Sequence, residues 1–153
     1  MASGAVHAKV AKTVWIGLLI GSAYLAFTWQ VQMAIGLALG GLGGFLITPD
    51  IDHFKRTHEE YRVYWHLGPL AGKLWQAYWS PYSIFIPHRH WISHLPGVGT
   101  AIRILYLGIP LWVSVYLLEV EIPAWDMGYV AAFAAWTAQD FFHWVFDGFG
   151  LKD

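Results

Sequence analysis

The sequence predicts an all-α protein, an integral membrane bundle of about four transmembrane helices with a central Trp/Tyr-rich helical region at the interface. Three observations carry that expectation. Four long apolar runs dominate the chain, which is 57% hydrophobic and only 12% charged, against a usual charged share of about a quarter. All nine Lys and Arg residues and all eight His residues fall on one side of those runs. Ten Trp residues suit a bilayer interface, where amphipathic rings settle at headgroup level. At 153 residues the chain is long enough for one domain, spanning 1–153.

The first run, Thr13–Trp29, follows Lys9 and Lys12 and has the look of a signal segment. It is expected to be a retained membrane helix, because the chain begins at Met1 and a second apolar run follows almost at once. That second run, Val31–Thr48, is rich in glycine; Gly36 and Gly40 have the small-xxx-small spacing that lets helices approach closely. Residues 49–96 form the polar centre. Its middle, from Tyr61 to Phe85, mixes aromatics with a few charges, which fits helices lying in the interface plane or a helical cap over the bundle mouth. The last two runs are Ile104–Leu118 and Ile122–Trp136, the latter continuing as helix to about residue 146. Each run is near or below the ~17–25 residues of a spanning helix. Snorkelling by Lys12 and Arg103 would extend the first and third.

Four spans would place both termini and the central region on one face, with all the basic residues. The opposite face carries Glu119, Glu121 and Asp126. The positive-inside rule then makes the basic face cytoplasmic, in an inner (cytoplasmic) membrane. A net charge of −1 and the lack of a basic run argue against nucleic acid as a partner; membrane lipids are the expected one. Cysteine is absent, which excludes disulfides and thiolate metal sites and leaves any ion to His and carboxylates.

Four groups of residues carry the chemistry. His7 stands near the start. Asp50 and Asp52 follow Pro49 directly after the second run; in an extended segment they would project to one side, and they equally suit a helix-capping turn. His88, Arg89, His90 and His94 crowd a seven-residue stretch between Pro87 and Pro96. If that stretch is helical, His90 and His94 share a face; if extended, His88 and His90 do. Arg89 has the fork geometry for a phosphate or carboxylate. Asp140, His143 and Asp147 lie at i, i+3 and i+7, within about 60° of one another on a helix, as a lone polar stripe facing the bundle interior. With four spans these groups converge at one mouth of the bundle, while His53, His58 and His66 fall outside as interface residues.

With those residues assembled, the chain resembles a family of small bacterial membrane proteins designated metal-binding, a domain of unknown function. The likeness rests on Ser3, Gly4 and His7; Pro49, Asp50 and Asp52; His88, Arg89, Ser93 and His94; and His143 and Asp147, and it covers nearly the whole chain. More distantly the chain is similar to the LexA-binding inner-membrane-associated hydrolases. Two positions depart from the family pattern: Ala8 stands where Asp often follows the first His, and His90 where Ser is common. The resemblance implies a membrane-embedded metal site whose ligands are His7, Asp50, Asp52, His94, His143 and Asp147, with His90 as a further candidate.

That set exceeds one tetrahedral zinc, so one or two divalent ions are expected, with Zn²⁺ first and Mn²⁺ or Fe²⁺ suited by the carboxylates. The corresponding activity is a metal-dependent hydrolase at the cytoplasmic face. A bound ion would lower the pKa of water from about 15.7 to about 7. Arg89 and His88 would hold an anionic group, and Asp140 would serve as general base or orienter. An anionic lipid or phosphoester is the matching substrate class. The alternative is a non-catalytic protein whose ion is structural or sensed.

Overall fold

A computed structural model of the chain describes residues 4–52, 57–87, 90–119 and 126–148. All regular structure among them is helical: α1 (Gly4–Phe27), α2 (Val31–Leu46), α3 (His58–Leu67), α4 (Pro69–Phe85), the short α5 (Trp91–His94), α6 (Val98–Leu118) and α7 (Met127–Phe146). A 3₁₀ turn at Pro49–Asp52 separates α2 from α3.

Helix α2 sits between α1 and α7, and its glycines explain how. A Cβ placed on Gly36 would lie 1.9 Å from the carbonyl oxygen of Gly128, and one on Gly40 would lie 2.0 Å from that of Ala132. The small-xxx-small pair of α2 therefore meets a second such pair on α7, and the two backbones touch. On its other face, Gly41 packs against Trp15 and Leu18 of α1. Ser22 of α1 also donates to the Ala34 carbonyl at 2.7 Å.

The aromatic centre folds as a helical hairpin. Thr57 caps α3 by accepting from the Glu60 amide, Gly68 turns the chain at φ 90°, and Pro69 opens α4. The inner face of α4 is a cap: Trp79 and Tyr82 are buried with Ile47, Ile51 and Trp136. Tyr78 and Tyr106 exchange hydrogen bonds with each other's carbonyls, at 3.0 and 2.6 Å, and fix α4 to α6. The outer face leaves Leu70, Leu74, Ile84 and Phe85 exposed. The inner face thus fits the helical cap over the bundle mouth.

Several boundaries differ from those expected. Helix α1 starts at Gly4, well before Thr13, so His7, Lys9 and Lys12 all ride on it. Helix α6 starts at Val98 because Gly97 takes up a left-handed turn (φ 84°) ahead of it, which carries Arg103 inside the fold. Helix α7 starts at Met127, where the Asp126 carboxylate accepts from the Gly128 amide at 2.7 Å. By length and composition, two helices can cross a membrane, at Val6–Phe27 and Val98–Leu118. Helix α2 is apolar but shorter, its 16 residues reaching about 24 Å against a hydrocarbon core of about 30 Å. Helix α7 has the length, but it carries Gln139, Asp140 and His143 on its buried face.

Candidate metal centre

The donors arrive on separate elements at one end of the α1–α2–α7 packing. Helix α2 ends at Leu46 with Ile47 as its C-cap, and Pro49 opens the 3₁₀ turn that presents Asp50. His94 ends the short α5, held because Gly99 lets α6 come against the Ser93 carbonyl: a Cβ there would lie 2.1 Å from that oxygen. His143 sits in the last turn of α7, and Asp147 follows as its C-cap residue, one helical turn further on.

One ligand atom from each of Asp50, His94, His143 and Asp147 lies within 4.8 Å of every other. His143 Nε2 is 3.2 Å from Asp147 Oδ2 and 3.5 Å from Asp50 Oδ1, and His94 Nε2 is 3.9 Å from that same Asp50 oxygen. Ligand atoms ~2.0–2.1 Å from a tetrahedral zinc stand roughly 3.3 Å apart, so the three close pairs are near that separation and the set, spread over as much as 4.8 Å, would draw in around an ion. His143 Nε2 is also buried at ion-pair distance from two carboxylates, yet makes no directed hydrogen bond. The two-His, two-carboxylate chemistry suits Zn²⁺, Mn²⁺ or Fe²⁺.

The electrostatics prepare the carboxylates. Burial pushes Asp50 up, but His143 and His94 outweigh it and hold the group well below the usual carboxylate range. Asp147 is likewise pushed up by burial and pulled further down by His143 and His7. Both acids are therefore anionic. Burial pushes His143 down, but the two acids outweigh it and raise the group to about 9, so an ion entering the site takes the place of the His143 proton. His7 adds a support: its ring stacks on His143 at 4.3 Å, and its Nε2 lies 3.0 Å from Asp147 Oδ1, the oxygen turned away from His143.

Behind the donors lies a buried polar network. Ser93 Oγ is 2.6 Å from Asp52 Oδ2 and 2.8 Å from His94 Nδ1. Arg103, with no exposed surface, donates to the Ser93 carbonyl at 2.9 Å and pairs with Asp140. Thr100 also donates to Asp140.

The structure thus brings together Asp50, His94, His143 and Asp147, with His7 against Asp147. Asp52 points elsewhere, to Ser93 and to the far nitrogen of His94 at 3.5 Å. The reason is the turn. Asp50 and Asp52 would share a side in an extended strand, but at three residues per 3₁₀ turn they project about 120° apart. Asp140 lies deeper, tied to Arg103 and Thr100. His90 does not share a helical face with His94; it caps α5, its Nδ1 accepting from the Ile92 amide at 3.4 Å. His88 and Arg89 lie outside the described residues.

Sequence reasoning missed Thr100 and gave Arg103 the wrong place: it does not snorkel to an interface but is fully buried. A signal was present. Thr100 and Arg103 fall three residues apart on one face of an apolar helix, opposite the equally isolated Asp140.

A family model described as "Uncharacterized metal-binding protein (DUF2227)" matches residues 2–149, and the chain belongs to that family. No curated protein and no solved structure matches it, so the more distant likeness to the LexA-binding hydrolases rests on no match.

Proposed function

We propose that this member of the metal-binding family holds one divalent ion between Asp50, His94, His143 and Asp147 and uses it to hydrolyse an ester or phosphoester at a membrane surface. The observation that carries the reading is the mutual approach of those four ligand atoms within 4.8 Å. Bound there, the ion would supply Lewis acidity toward a substrate oxygen and toward water. Hydrolysis is favoured over a sealed structural site by an open edge among the described residues: Asp50 keeps 36% of its side chain exposed, while His94 and His143 are buried. The chain's own residues do the rest. Asp50 and Asp147 hold negative charge against the ion, and His7 fixes the outer oxygen of Asp147. The Arg103–Asp140 pair keeps the α5 turn in place. Arg89 and His88 remain proposals for gripping an anionic group.

A membrane setting is supported by where the apolar surface lies. No residue in the apolar stretch of α1 and few in that of α6 are fully buried, although α1 packs one side on α2, whereas a core helix of a soluble protein would be mostly covered. Ile20, Tyr24, Leu105, Trp112, Tyr116 and Leu117 all face outward. With Arg103 neutralised inside, Lys9, Lys12, Arg62 and Lys73 remain as the described cations, and the positive-inside rule would put the metal end in the cytoplasm. Lipids are then the surrounding partner and an anionic lipid or phosphoester the substrate class.

A second reading, an ion that only ties helix ends together, is favoured by the ligands' arrival from three separate elements, the 3₁₀ turn, α5 and the α7 terminus. Elemental analysis of detergent-purified wild type beside His94→Ala and Asp147→Ala separates these. Near one equivalent of metal in wild type and loss in both variants supports the site. Turnover of phosphoester or phospholipid substrates by the loaded protein supports hydrolysis. Metal without turnover supports the tie, and no metal in wild type sinks both.

A further inference from the structure

Ser93 makes more short contacts than one hydroxyl proton can serve. Its Oγ lies 2.6 Å from Asp52 Oδ2, 2.9 Å from the His90 carbonyl and 2.8 Å from His94 Nδ1. The carboxylate and the carbonyl can only accept. The 2.6 Å contact to an anionic oxygen is the shortest and has the length of a charge-assisted bond, so the proton belongs there. Oγ is then left as an acceptor toward His94, and a bare Nδ1 lone pair 2.8 Å away would face another lone pair. The contact is attractive only if His94 carries hydrogen on Nδ1. All three groups are buried, so water cannot relieve the mismatch.

We infer that Asp52 and Ser93 together lock His94 in the Nδ1–H form, which turns the lone pair of Nε2 toward Asp50 and His143 and makes that atom the ligand. Asp52 is on this account a positioning residue, acting on the ion through Ser93 and the imidazole. The inference rests on the proposed metal site for its consequence, but not for its geometry. It also gives a reason for two acids so close in sequence: Asp50 contacts the ion and Asp52 prepares another ligand. Arg103 supports the device from behind by holding the Ser93 carbonyl, which keeps the hydroxyl in register.

Nitrogen NMR of the ¹⁵N-histidine-labelled, metal-free full chain in detergent tests it, with His94 assigned by comparison with His94→Gln. At about pH 8.5, where ordinary imidazoles are neutral, His94 is expected to show a protonated Nδ1 and an unprotonated Nε2. Ser93→Ala should release the preference, and Asp52→Asn, whose amide oxygen still accepts from Ser93, should largely keep it. Titration with Zn²⁺ alone should weaken about 10–100-fold in Ser93→Ala and less in Asp52→Asn. A wild-type His94 protonated on Nε2 overturns the inference, as does an unchanged tautomer in folded Ser93→Ala. Wild type that shows the Nδ1–H form but binds no Zn²⁺ would fail the metal reading and leave this assignment standing.

Discussion

Helices α2 and α7 pack along one seam whose two ends are built on opposite principles. At the far end Gly36 and Gly40 meet Gly128 and Ala132 backbone against backbone, with the Asp126 carboxylate at the edge of the contact as the cap of α7. At the near end the same helices lead into Asp50, His143, Asp147 and the buried Arg103–Asp140 pair. Close apolar packing stabilises without any ligand. A cluster of buried acids and imidazoles costs stability until something compensates it. One end therefore builds the scaffold and the other holds charge in reserve for an ion, and substitutions at the two ends should separate accordingly.

The largest effect belongs to the seam. Gly40→Val would drive its side chain into the Ala132 carbonyl, 2.0 Å from where a Cβ must stand, and neither backbone can yield without parting the helices. A loss above about 4 kcal/mol, or no folded protein, is expected. Added metal should not rescue it. Recovery of a normal thermal transition on adding Zn²⁺ would show that the two ends are not independent.

Next comes the buried pair. Asp140→Asn leaves the Arg103 guanidinium uncompensated and should cost about 3–5 kcal/mol, while replacing both partners with apolar residues of similar volume should cost much less. Thermal unfolding in detergent reads both. Equal losses in the single and double variants would mean that the pair itself, not the stranded charge, is what matters.

The third prediction concerns the ion. Metal at about a hundred times its dissociation constant should stabilise wild type by about 2.7 kcal/mol, and Asp147→Ala should abolish that increment while changing the metal-free protein far less. Without metal, burial pushes Asp50 and Asp147 up but their histidine partners hold them below the ordinary 3.8, and the two acids in turn, against the downward push of burial, raise His143 from 6.5 to about 9. Their joint contribution is therefore complete between about pH 4 and 6.5, fades as pH falls below about 4, and is lost as pH rises through about 9. A metal-induced shift that persists in Asp147→Ala would place the ion elsewhere.

The same contrast explains what could be read in the sequence. The seam was legible because spacing alone determines it: Gly36 and Gly40 four apart on an apolar helix permit close approach whatever lies opposite. The stripe of Asp140, His143 and Asp147 was legible for the same reason, since a helix fixes their common face. What stayed open depended on local conformation that spacing does not set. Asp50 and Asp52 share a side in a strand and diverge in a 3₁₀ turn, and residue order cannot choose between these. His90 and His94 share a face only if the helix already includes His90, and His90 turned out to cap it. Arg103 was misplaced because its partner lies 37 residues away on another helix: the local pattern of Thr100 and Arg103 marks a polar face but does not name Asp140 as what it meets.

The smallest effect lies at the opposite pole from the metal, and it tests the independence of the two ends most finely. Asp126 accepts from the Gly128 amide at 2.7 Å and so caps the start of α7, directly beside the glycine contact. Asp126→Ala should cost about 1 kcal/mol, the usual price of losing an N-cap. The seam would fray at its first turn, while α7 stays held through Trp136 and Gln139, which pack against Gly43 and Gly44. His143 lies more than four helical turns from the cap, so Zn²⁺ affinity measured by titration should stay within about two-fold of wild type. A modest fall in the melting temperature with affinity unchanged is the expected pair of results. A larger fall in affinity than in stability would mean that α7 shifts as a rigid rod, carrying His143 and Asp147 out of register with Asp50, and the scaffold end would then be tuning the charged end rather than merely supporting it.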